Sequence, residues 1–103
     1  MKKAIEESVV GKYCLIRGNS SGVMCGVVTE IDGTNVLLTN ARKVWYWHGA
    51  KAVEQLAVSG CDDMSHITVS VAEMIVTDAV QVIPMTDRAR KTVEEAREWK
   101  WKA

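Results

Sequence analysis

The alternation of apolar and polar residues predicts β-strands over most of this chain. Lys12 to Arg17 and Val23 to Ile31 form the first two predicted strands, separated by the turn-forming run from Gly18 to Gly22. A tight reversal follows at Asp32-Gly33, because both residue types tolerate the positive φ that a short hairpin requires. The pattern therefore predicts antiparallel strands joined by short connections.

An aromatic run lies on the next extended segment. Side chains alternate across a strand, so Val44 and Tyr46 are predicted on one face, with Lys43, Trp45 and Trp47 on the other. We expect one face to join the core and the other to be exposed or to contact a ligand.

The spacing of the apolar residues changes from that of a strand to that of a helix after the aromatic run. Apolar residues between Ala50 and Val58 fall on one helical side, and Gly60 stands where a left-handed cap would end a short helix. Three β-prone runs follow, and Pro84 closes the last of them. They are Ile67 to Val71, Met74 to Thr77, and Ala79 to Ile83.

A C-terminal helix is predicted over residues 87–101, since Thr86 and Asp87 can cap it and a thin apolar stripe follows. The stripe consists of Ala89, Val93, Ala96 and Trp99. No linker or repeat divides the 103 residues, so we expect one domain over 1–103 with a compact core at about 11–86. The predicted fold is α+β: a strongly bent antiparallel sheet or small β-barrel with one short central helix and the C-terminal helix.

Composition narrows the classes of function. Thirteen basic residues balance thirteen acidic ones, so the strong positive field of a binder of long nucleic acids is absent. The apolar runs are too short to span a membrane, and we expect a soluble intracellular protein. Cys14, Cys25 and Cys61 have irregular spacing, so we expect no disulfide framework; the first two resemble buried thiols.

The aromatic run is the first candidate binding site. Aromatic rings stack on planar bases, and cations beside them pair with phosphate, a combination that favours a nucleotide. The candidate ligand-binding residues are Asn40, Arg42, Lys43, Trp45, Trp47 and His48. The alternative is that the tryptophans pack structurally and the cations are solvated.

The loop from Gly18 to Gly22 is the second candidate. Asn19 and Ser20, with Arg17 beside them, could offer main-chain and side-chain donors to an anion at the rim of the aromatic site. The loop lacks the Walker spacing, and its glycines could instead serve the hairpin bend.

Neither a metal centre nor catalytic machinery is predicted. His48, His66 and the cysteines lack the paired spacings of zinc sites, and His66 is interpreted as an ordinary surface residue. The carboxylates are dispersed and have no neighbouring nucleophile. We therefore expect no cofactor, no bound metal and no enzymatic activity.

Several motifs occur in a characteristic order: G-K-Y-C-L-I-R, S-G-V-M-C-G-V-V, A-R-K-V-W-Y-W-H-G-A and I-V-T-D-A-V-Q-V-I-P. In this order the chain resembles, from about Gly11 to Thr86, a family of small proteins encoded by tailed bacteriophages. The resemblance implies a phage protein acting in the cytoplasm of the infected host bacterium.

Some phage proteins of this size are sponges, oligomers that sequester the cyclic nucleotide signals of antiphage defence. The resemblance thus suggests a homo-oligomer, a dimer or tetramer, whose partner is a cyclic nucleotide second messenger. The alternative is a structural or host-protein interaction module without a small ligand. A single-stranded nucleic-acid binder is a third possibility, which net neutrality opposes.

Overall fold

The computed structural model describes residues 2–99 and confirms an α+β fold. Its elements, in chain order, are α1 (Lys2–Val9), β1 (Tyr13–Gly18), β2 (Val23–Asp32), β3 (Asn35–Tyr46), α2 (Val53–Ser59), β4 (His66–Ile67), β5 (Val71–Val76), β6 (Ala79–Pro84) and α3 (Asp87–Glu94). No helix within residues 2–99 combines the length and hydropathy needed to cross a membrane.

The six strands form one antiparallel sheet in the order β4-β3-β2-β1-β6. Strand β5 also pairs with β3, next to β4 along the same edge. The sheet is bent but not closed, because β5 and β6 do not pair with each other within the described chain. Of the two predicted forms, the bent open sheet is therefore the correct one.

The bend is built where Gly26 of β2 faces residues 39–41 of β3. The register shifts between Cys25 and Val27, and Asn40 opposite has a φ of 51°. A Cβ atom at Gly26 would lie 3.1 Å from both the Ala41 Cα and the Thr39 carbonyl oxygen. Close backbone approach and a left-handed residue are the marks of a bulge that turns the strand.

Two apolar clusters cover the two faces of the sheet, as period-two alternation predicts. The first contains Val9, Cys14, Ile16, Met24, Val28, Val36, Leu38, Ala41 and Val76. The second contains Tyr13, Leu15, Val23, Cys25, Val44, Leu56, Ala57, Ile67 and Val93. Helices α2 and α3 thus cover one face, while Val9 at the end of α1 joins the cluster on the other.

The two predicted helices are present. In α2, Leu56 and Ala57 are buried, and the Gly60 N–H donates to the Leu56 carbonyl. In α3, the Thr86 side chain accepts from the Ala89 N–H as an N-cap. Helix α3 ends at Glu94, well before the predicted 101; residues 100 and 101 lie outside the described part of the chain.

Three further expectations about secondary structure are corrected. Helix α1 had no predicted counterpart; it ends before Gly11, whose φ is 86°. The two-residue hairpin loop is Gly33-Thr34, one position later than expected, because Asp32 pairs with Asn35. The strand predicted from Ile67 to Val71 is interrupted after Ile67, where Thr68 bonds to side-chain and main-chain groups of β3.

Candidate functional site

Arg42 has a different role from the predicted phosphate ligand. Its side chain is 7% exposed, and Nη1 donates to the carbonyl oxygens of Val93 at 2.8 Å and Ala96 at 2.7 Å. Nε donates to the Thr68 carbonyl oxygen at 2.8 Å. The last carbonyls of a helix lack partners within the helix and attract a cation, so Arg42 fixes the end of α3 onto the sheet.

The loop from Gly18 to Gly22 does hold an anion, but the anion belongs to the same chain. The Asp78 carboxylate accepts from the Ser20 N–H at 2.8 Å, the Ser21 N–H at 3.0 Å and both hydroxyls. These bonds, led by the Ser21 hydroxyl, hold the pKa of Asp78 well below its usual range. The Asn19 N–H donates to the Asp78 main-chain oxygen. The loop is thereby fastened to the β5–β6 turn.

Arg17, another predicted ligand-binding residue, does not lie beside the aromatic run. It is exposed on β1, where it pairs with Val23 of β2 and Gln81 of β6. Strand β2 separates it from β3. Lys43 is directed toward the β1–β2 loop, since a Cβ atom on Gly22 would lie 3.3 Å from its Cε.

An exposed aromatic surface does form at the end of β3. We define it as Trp45, Tyr46, His66 and Trp99. The Trp45 and Trp99 rings stack with centroids 5.1 Å apart, and His66 stacks on Trp99 at 4.4 Å and on Trp45 at 5.4 Å. Tyr46 meets His66 at 5.2 Å with tilted planes. Trp45 remains 55% exposed and Tyr46 46%, so the surface can accept a further ring.

Strand pairing assembles this surface from distant segments. Tyr46 pairs with His66 across β3 and β4, and the register shifts between Val44 and Tyr46. This irregularity exposes Tyr46, which strict alternation had placed with Val44. The Trp99 N–H donates to the Ile67 carbonyl oxygen at 2.9 Å and brings its ring alongside. Trp47, in contrast, is half-buried against the second apolar cluster.

His66 is the residue that sequence reasoning missed. The interpretation as an ordinary surface histidine is wrong, because its ring stacks with two indoles and its Nδ1 is buried without a hydrogen-bond partner within residues 2–99. Its sequence position, before a short strand, carries no sign of this. Only the pairing of β4 with β3 shows that His66 joins Trp45 and Tyr46.

His48 points away from the aromatic surface, toward the loop after α2. Its Nδ1 lies 2.7 Å from the Asp62 carboxylate, and its main-chain N–H donates to the Ser65 hydroxyl at 2.8 Å. The bond to His48 is the main cause that lowers the pKa of Asp62. His48 therefore has an orienting partner and holds the loop in place.

A groove of about 960 Å³ separates this loop from α3 and the residues after it. Its charged lining consists of Arg88, Lys91, Arg97, Asp62, Asp63 and Glu95. Ser65 and Arg97 also line it, and they lie one and two positions from His66 and Trp99. No cluster of three or more metal-ligating side chains occurs in the described region. The aromatic surface and the charged groove are thus neighbours.

Two solved structures share this fold. One is the SmAP1 heptamer of P. aerophilum, with a TM-score of 0.55 and 17% identity over 82% of this chain and 92% of that one. The other is a heptameric archaeal Sm protein, described in relation to the eukaryotic snRNP core, with a TM-score of 0.54 and 17% identity over 81% and 98% of the two chains. No curated protein sequence matches this chain.

At this level of identity the likeness concerns the fold of the bent sheet. The sequence itself matches one family across residues 11–93, a range that includes β1 to β6, α2 and all of α3 except its last residue. The chain therefore belongs to the family described as a domain of unknown function, DUF6948.

Proposed function

We propose that this protein is a non-catalytic homo-oligomer that binds a nucleotide on its aromatic surface. The observation that carries the proposal is the parallel stack of Trp45, His66 and Trp99, whose Trp45 ring is 55% exposed. A nucleobase stacked on an aromatic side chain gains about 1–3 kcal/mol, and every base offers such a face. The rings come from three separate segments: β3, β4 and the residues after α3.

The sheet edges support assembly of several copies. Strands β5 and β6 each pair with one neighbour and leave the other side open within residues 2–99. Ile75 on β5 is 64% exposed and Val80 on β6 is 58% exposed. Open strands with exposed apolar side chains favour pairing with another chain, and the two Sm-type structures described above are heptamers. We propose that β5 of one copy pairs with β6 of the next.

The ligand we propose is a cyclic nucleotide signal of antiphage defence. This choice rests on the resemblance to phage proteins, which implies that the protein acts in the cytoplasm of the host bacterium. A binder without turnover would lower the free concentration of the signal in proportion to the number of sites. An oligomer of a short chain contains several such sites, because symmetry repeats the site in every copy.

A second candidate is a single-stranded RNA, favoured by the fold shared with an Sm protein that is described in relation to the snRNP core. A ring of copies would present repeated aromatic surfaces to successive bases. The balance of thirteen basic and thirteen acidic residues works against this candidate, because polymer binding draws on many phosphate contacts.

A thermal-shift screen against cyclic di- and trinucleotides, followed by chromatographic recovery of the ligand, tests the proposal. We expect a shift with one cyclic nucleotide, recovery of that ligand intact, and loss of the shift in Trp45→Ala. Val58→Ala is the control, because Val58 is 57% exposed on α2 and lies outside both the aromatic surface and the groove lining. A shift only with oligoribonucleotides would favour the second candidate, and altered ligand would contradict a non-catalytic protein.

The assembly is tested separately by sedimentation. Ile75→Asp and Val80→Asp each put a charge on an open strand edge, and each is expected to reduce the oligomer to smaller species. Met64→Asp adds the same charge elsewhere and should leave the size unchanged. A monomeric wild-type protein would contradict the homo-oligomer.

A further inference from the structure

The charged groove beside α3 has chemistry that the aromatic surface lacks. Arg88 and Lys91 lie one helical turn apart on α3, and Arg97 follows the helix. All three are exposed, and none forms an ion pair within residues 2–99. Arg90 on the same helix differs, since it pairs with Glu94 at 2.8 Å. The α3 side of the groove therefore presents three cations without an ion-pair partner in the described part of the chain, and Glu95 lines the groove beside them.

We propose that Arg88, Lys91 and Arg97 bind the phosphate of the nucleotide whose base stacks on the aromatic surface. This inference rests on the proposed function and adds a second half to its site. Guanidinium and ammonium groups form charge-assisted hydrogen bonds to phosphate oxygens. The groove volume of about 960 Å³ falls in the range of roughly 300–1,000 Å³ found for ligand sites.

The groove and the aromatic surface are formed by adjoining segments of the chain. Arg97 and Ser65 line the groove; Arg97 is two residues from Trp99, and Ser65 directly precedes His66. The base and the phosphate of one ligand can then occupy neighbouring parts of the same surface. Arg42 was expected to provide the phosphate contact, but it is buried among carbonyl oxygens.

The opposite wall of the groove restricts what can enter. Asp62 and Asp63 face the cations from the loop after α2, and His48 holds Asp62 through the 2.7 Å contact. Carboxylates repel a chain of phosphates but tolerate one or two phosphates that are paired with cations. The groove is therefore suited to a small nucleotide rather than a long polyanion.

The test uses calorimetry on the full chain with three probes: inorganic pyrophosphate, adenosine and cyclic di-AMP. The double variant Arg88→Gln/Lys91→Gln removes two cations from the groove. Lys12→Gln/Lys51→Gln removes the same charge from two other exposed positions and is the matched control. Trp45→Ala tests the aromatic surface independently of the groove.

We expect the groove variant to raise the dissociation constants of pyrophosphate and cyclic di-AMP at least tenfold. The dissociation constant of adenosine should be unchanged, and the salt dependence of binding should be smaller. The control should change each dissociation constant less than twofold.

Cyclic di-AMP binding that Trp45→Ala abolishes but the groove variant retains would overturn this inference and leave the proposed function standing. Pyrophosphate binding that only the groove variant loses, without any binding of adenosine, would support the groove and contradict base stacking. Absence of pyrophosphate and cyclic di-AMP binding in the wild type would overturn the inference.

Discussion

The first half of the aromatic run and its second half have different roles in the folded chain. Asn40 bends β3, and Arg42 is buried against the end of α3. Trp45 and Tyr46, only a few residues later, are exposed and stack with His66. Two residues selected as ligand contacts because of their polarity thus maintain the fold, while the aromatic rings remain available. Residues that are close in sequence can therefore have different roles in the folded chain.

Removing Arg42 should have the largest effect on stability. Arg42→Ala removes the donor to the carbonyl oxygens of Thr68, Val93 and Ala96, and each buried acceptor left unsatisfied costs about 1–3 kcal/mol. Urea denaturation of this variant and of Arg88→Ala would measure the difference. Arg88 is exposed and forms no ion pair within residues 2–99, so its loss should change the free energy of unfolding by less than about 0.5 kcal/mol. Equal free energies of unfolding for the two variants would contradict a structural role of Arg42.

Trp47→Ala and Trp45→Ala test whether the two tryptophans of the run contribute differently to stability. Trp47 is half-buried against the second apolar cluster, and full burial of such a ring makes its truncation cost about 3–5 kcal/mol. We expect a loss of about 2 kcal/mol for Trp47→Ala and less than about 1 kcal/mol for Trp45→Ala. Thermal unfolding followed by circular dichroism would rank them. A larger loss for Trp45 would assign it to the core instead of the surface.

Asn40→Val tests whether the bend needs a residue that tolerates positive φ. A β-branched residue in the left-handed region is strained by about 1–2 kcal/mol, while glycine is accepted there. Chemical denaturation should therefore show destabilisation for Asn40→Val and near-neutral behaviour for Asn40→Gly. Destabilisation of the same size in both would indicate that the Asn40 side chain itself is required.

Asp78→Asn should have the smallest effect on stability, and the effect should depend on pH. Its pKa in the folded protein lies below that of a free carboxyl, so its contribution to stability is full above the unfolded-state pKa of about 3.9 and is lost as the pH falls toward the folded value. The melting temperature of the wild type should fall more steeply than that of Asp78→Asn below about pH 4. Parallel curves would show that the loop does not depend on the carboxylate charge.

Local patterns were sufficient for most of the fold. The hairpin near Gly33, the helix ending at Gly60 and the Thr86 cap each depend on residues close in sequence. The end of α3 and the break after Ile67 could not be predicted, since both involve Arg42, which is distant along the chain. Long-range hydrogen bonds of this kind leave no periodic signal.

The candidate site was predictable only in part. Trp45 was recognised as a candidate from residue type, because exposed indoles often serve in binding, and Trp99 was assigned to the apolar stripe of the predicted C-terminal helix. His66 joins the two tryptophans through strand pairing and ring stacking. The groove cations, two on α3 and one after it, were not among the candidate residues. Ser20 was expected to offer donors to a ligand's anion, but its partner in the structure is the Asp78 carboxylate, 58 residues away.

The proposed function requires that a base stacks on Trp45. Tryptophan fluorescence titration with the cyclic nucleotide that gives the largest thermal shift, applied to the wild type, Trp45→Phe and Trp45→Ala, tests it most directly. We expect saturable quenching in the wild type, an affinity in Trp45→Phe within about tenfold of it, and at least about tenfold weaker binding in Trp45→Ala. Equal affinities in the wild type and Trp45→Ala would contradict the aromatic surface as the binding site.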